Sequence, residues 1–171
     1  MIDDSGVDSL PVALIASALL LVLVLGFAAM GLKNAQPMVS AASVDDQVSK
    51  MANGCKAMLA SAPSDLLDPA SPPGATRRFE LDLPEDTEYL GLGYDPEAEV
   101  SDEGTIYYKV HGSKKAVVVD RNVKFRVGEK SGSRIVPSNG HTVIYGGGRR
   151  DIILEYARDS AFDERYILCT G

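Results

Sequence analysis

The spacing of apolar and polar residues changes twice along this chain. Residues 12–32 run for 21 positions with Ser17 as the only polar side chain. A helix of that length is roughly 30 Å long, the thickness of a bilayer's hydrocarbon core. Being apolar on every face, it predicts a membrane span. Asp8 or Ser9 can cap its start, and Pro11 suits a first helical turn. Pro37 is expected to kink or restart the helix. After it the period becomes that of an amphipathic helix. Ala41, Val44, Val48, Met51, Cys55, Met58 and Ala62 advance in alternating steps of three and four, and form one apolar stripe. "SAPSD" then ends the helix at Pro63.

The second change comes near Phe79, where alternation takes over. "RFELDL", "TIYYKVHG", "KAVVVD", "NVKFRVG", "HTVIYG", "RDIILEYAR" and "RYILCTG" read as short strands. "HGSKK", "GEKSGS", "PSNG" and "YGGGRR" separate them as turns. The predicted fold class is α+β: a long N-terminal helix, transmembrane and then amphipathic, followed by an antiparallel β-sandwich or small β-barrel of seven or eight strands. The expected segments are a flank (1–11), a span (12–32), an amphipathic helix (33–62), a Pro-rich linker (63–78) and a β-rich domain (79–171).

Charge narrows the class of partner. All 17 basic residues follow Leu32, and Asp3, Asp4 and Asp8 precede it, so the part beyond the span carries −4 of the total −7. That balance does not suit nucleic acid, which needs a basic footprint. The first ten residues hold no Lys or Arg, unlike the basic start of a cleaved secretory signal, and the apolar run is too long for one; "GFAAMG" leaves a cut after the run as the alternative. Lys33, the one basic residue close to the span, points the β-domain to the cytoplasm by the positive-inside rule. The cysteine pair and the acidic domain point outward, and the exterior is the expectation carried here. Cys55 and Cys169 are candidates for one disulfide, worth about 4–5 kcal/mol at most for so long a loop. Two unlinked buried thiols are the alternative.

Candidate chemistry is sparse. His111 and His141 lack metal-spaced partners, and no hydrolase, metalloprotease, phosphate-loop or dinucleotide motif is present. No enzyme and no cofactor is therefore expected. "GGGRR" (146–150) reads as a hairpin turn rather than a phosphate cradle. Asp95, Glu97, Glu99, Asp102 and Glu103 form an acidic stretch without the spacing of a calcium loop, and read as a solvated surface. Of the neighbours Tyr107 and Tyr108, one should be core and one exposed.

The order of these parts resembles a known family. "SGVDSLPVALIASALLLVLV", leading into an amphipathic helix and a β-rich domain, is similar to the N-terminal pattern of archaeal type IV pilin-like proteins, the pilins and archaellins. The resemblance implies cleavage by a prepilin-type peptidase between Gly6 and Val7. It implies stacking of the apolar helices into a filament core, with β-domains outside. Close helix packing would then fall at Gly26, Ala28, Ala29 and Gly31, since small residues let backbones approach. The expected partners are membrane lipid and further copies or other pilin-like subunits. The alternative is a permanently anchored single-pass protein whose exterior domain binds a partner or envelope component without polymerising. No small-molecule ligand can be named from the residues.

Overall fold

The computed structural model describes residues 9–131 and 134–170. They form one helix, α1 (Ser9–Leu59), and ten strands among the described residues. These are β1 (Ser64–Asp65), β2 (Thr76–Leu83), β3 (Thr87–Leu92), β4 (Thr105–Val110), β5 (Ser113–Val118), β6 (Val123–Ser131), β7 (Arg134–Pro137), β8 (Thr142–Tyr145), β9 (Gly148–Asp159) and β10 (Glu164–Thr170). The class is α+β. The chain divides into two compact units, residues 1–39 and 40–171. Pro37 lies inside α1 without ending it. A proline forfeits one backbone hydrogen bond, and a long helix can bear that loss.

In the second unit, one sheet has the order β1-β9-β10-β6-β7, with β2 also paired to β9. The other has the order β5-β4-β3-β8. The expected all-antiparallel arrangement is corrected here. β10 runs parallel to β6, and β1 runs parallel to β9. The last strand is inserted between β9 and β6, so its direction is set by β9 and not by a hairpin with β6. The second sheet is antiparallel throughout.

Both sheets and the helix share one core. Val44, Val48, Met51, Cys55 and Met58 are at most 4% exposed, so this part of the stripe is the buried face, whereas α1 ends at Leu59 and Ala62 beyond it is exposed. It joins Leu81, Ile152, Leu154, Phe125 and Ile167 from the mixed sheet with Leu90, Leu92, Ile106 and Tyr108 from the antiparallel one. The helix also completes a strand edge. Gln47 Nε2 donates to the Asp82 carbonyl at 2.8 Å, and the Asp82 N–H donates back to Gln47 Oε1 at 2.7 Å. This amide stands where another strand's backbone would pair with β2. Gly54 is required by packing, because a Cβ there would lie 2.5 Å from the Phe79 ring.

The two sheets are stitched at one corner. The Phe125 N–H, on β6, donates to the Glu103 carbonyl just ahead of β4. Gly93 has φ +68°, and a Cβ on it would strike the Glu103 carbonyl and Phe125, so the corner depends on glycine. Met51→Ala should cost about 2–5 kcal/mol, the usual penalty for a buried methionine cavity. Val100→Ala, at a side chain 87% exposed, should change stability by less than about 0.5 kcal/mol. Urea unfolding of the full chain in neutral detergent measures both; equal effects would contradict this core.

Candidate functional site

The apolar helix has no core of its own to fill. Val12–Gly31 has a mean hydropathy of 2.8, and none of it is buried within the chain. Its twelve large apolar side chains are each 56–72% exposed. At 1.5–3 kcal/mol per side chain, removing them from water is worth on the order of 20–35 kcal/mol. That exceeds the whole stability of an ordinary domain, about 5–15 kcal/mol. The segment therefore needs lipid or other apolar helices around it. Ser17 does not obstruct this, because its hydroxyl donates to the Leu14 carbonyl at 2.9 Å. The helix is long and apolar enough to span a membrane.

Gly26 and Gly31 lie on this surface, and a Cβ at either would meet nothing within 4 Å. No contact among the described residues requires glycine there. Ala28 and Ala29 are likewise exposed. At Gly26 the missing side chain leaves a notch of about 180 Å³ between Val22, Leu23, Phe27 and Met30. Gly6 and Val7, the expected cleavage point, lie outside the described residues.

Cys55 and Cys169 both reach the shared core. The helix stripe carries the first, and the inner face of β10, opposite to Leu168, carries the second. They are present as free buried thiols and not as a disulfide. Burial pushes the Cys55 thiol up to about 12, and burial also raises that of Cys169.

The acidic stretch is not simply a solvated surface. Asp95 is 2% exposed. Its carboxylate accepts from Tyr89 Oη at 2.9 Å and the Glu97 N–H at 3.0 Å, and pairs with Lys114 Nζ at 2.6 Å. Burial pulls its pKa upward, but these three partners outweigh it and hold the group below its ordinary value. Glu97 pairs with Lys109, Glu103 with Arg126, and Asp102 Oδ1 accepts the Gly104 N–H. These carboxylates organise the loop. Among the described residues no group of three or more His, Cys, Asp or Glu is placed to hold a metal.

Tyr108 is core, with its hydroxyl donating to Asp45 at 2.8 Å. Tyr107 is half-buried, not exposed, and its hydroxyl accepts the Asp102 N–H. His141 stacks on Tyr94, with ring centroids 4.7 Å apart. His111 occupies a turn at φ +49°. The "GGG" turn is not a hairpin, because β8 belongs to one sheet and β9 to the other. Gly146 and Gly148 have φ of +74° and +109°, and a Cβ on Gly147 would meet the Pro84 carbonyl at 2.4 Å. The three glycines let the chain change sheets.

Comparison with protein-family models, curated proteins and solved structures gave no match. The functional reading therefore rests on the apolar helix and on the domain that shares α1 with it.

Burial this deep keeps the Cys55 thiol protonated at pH 8, and the thiolate is the reactive form. The folded chain should resist maleimide at that pH, and should take two labels after unfolding without reductant. Absence of label after unfolding would show that the native protein carries the disulfide.

Proposed function

We propose that this chain is a pilin-like structural subunit, major or minor, of a cell-envelope filament. Residues 12–32 anchor it in the membrane before assembly and pack against the same segment of other copies afterwards. The domain stands on the exterior face, its two sheets and helix forming a sandwich-like head. One observation carries this reading. A single helix, Ser9–Leu59, supplies a wholly unburied apolar surface at one end and the central core stripe of a β-domain at the other. A plain anchor needs only the first of these. Sharing one helix gives the assembly surface a continuous covalent link to the head.

The notch at Gly26 fits the same reading. A glycine inside a helix costs about 1 kcal/mol relative to alanine. Nothing within the chain offsets that cost, whereas a neighbouring helix gains by approaching there. The acidic start, Asp3, Asp4 and Asp8, favours the second reading, in which the protein is never processed and remains a single-pass anchor.

Gly26→Leu separates the two. A Cβ at this position meets nothing within 4 Å, and the larger side chain fills the notch without entering a core, so a defect reports contact with another helix. Membrane insertion should be unchanged, while the amount of chain recovered in sheared surface filaments falls at least tenfold. A wild-type chain confined to the membrane fraction would overturn the filament reading and leave the anchor.

A further inference from the structure

A cleft of about 520 Å³ opens beside the ends of β9 and β10, lined by Pro63, Asn122, Tyr156, Arg158, Asp163 and Arg165. We propose that it binds an oxyanion: the carboxylate, phosphate or sulfate group of a small anion or of an acidic glycan. This inference does not depend on whether the chain forms filaments.

The register brings the donors together. Arg158 on β9 and Arg165 on β10 are direct cross-strand partners, and Tyr156 stands two residues along the same face. Like charges placed directly opposite one another oppose strand pairing.

The cations are only partly answered. Arg158 pairs with Asp163 at 2.6 Å, but Asp163 is a surface group, its side chain 80% exposed. Arg165 has a loose ion pair with Asp120 Oδ2 at 3.5 Å, and Asp120 Oδ1 accepts the Asn122 N–H at 2.8 Å.

Tyr156, 4% exposed, and Asn122 also line the cleft and can donate into it. A fork of guanidinium N–H groups beside a phenol and an amide matches a planar or tetrahedral oxyanion. Asp163 has φ +54°, a conformation uncommon for a residue with a side chain. It holds the carboxylate over Arg158, where an incoming anion would compete with it.

The test uses the full chain in neutral detergent at low chloride, titrated by calorimetry with sulfate, galacturonate and oligogalacturonate. Saturable binding of at least one probe is expected. Equal affinity for sulfate and monomer marks a small-anion site, and an oligomer at least tenfold tighter marks a glycan site. Arg165→Gln should weaken binding at least tenfold, and Arg165→Lys, which keeps the charge but loses the fork, severalfold. Tyr156→Phe should weaken it severalfold with the melting temperature unchanged. Asp163→Asn should tighten it, since asparagine tolerates the same backbone. Asp151→Asn makes the same charge change at the separate Arg78 pair and should have no effect. The proposal is overturned by no saturable binding up to about 10 mM. It is equally overturned if folded Arg165→Lys and Tyr156→Phe bind like wild type, or if Asp151→Asn acts as strongly as Asp163→Asn.

Discussion

The stripe Val44–Val48–Met51–Cys55–Met58 is the surface that the rest of the second unit is arranged to cover. Neither sheet closes its core without it. Side chains from β2, β9, β10 and β6 meet it from one sheet, and those from β3 and β4 from the other. Polar chemistry follows the same constraint. Asp45, next to the stripe, accepts from Tyr108 Oη and pairs with Lys115, which ties the helix to β4 and β5. Burial acts upward on its pKa, yet the lysine and tyrosine bonds hold the group below its ordinary value. Gln47 closes the free edge of β2. Glycine sits at position 54 because the Phe79 ring occupies the space of any larger residue.

The same helix faces a second solvent in its first half. There the side chains make no core at all, and the energy of leaving them in water is several times what a domain has to spend. The two halves thus solve different problems with one element. In the second half, burial is specific and the period of the stripe matters. In the first, any apolar surround suffices for burial, and only the small residues distinguish lipid from another helix.

Most of the architecture was legible because period is a strong signal. The apolar run, the stripe and seven strands were all visible in the order of residues. What escaped was set by tertiary contact. β3 was missed because "TEYLGL" alternates poorly and contains Gly91, where a Cβ would strike the Tyr94 carbonyl at 2.0 Å. It is nonetheless a central, mostly buried strand. β1 is two residues long and exists only through its pairing with β9. The parallel β6–β10 pair joins strands about forty residues apart, which local pattern does not encode. Asp95 looked like one more surface acid, and its burial depends on Lys114 and Tyr89 arriving from other strands. At the candidate site, the apolar surface and its small residues could be read directly. That nothing in the chain requires those glycines could not.

A spine that is freed for assembly differs from a permanent anchor in its first residue. The most direct measurement is the intact mass and N-terminal sequence of the native protein taken from its own membranes. A mature chain beginning at Val7 is the result predicted here, since it would show processing just ahead of the apolar helix. A chain beginning at Met1 or Ile2 would contradict the account, and α1 would then be an anchor that never leaves the lipid.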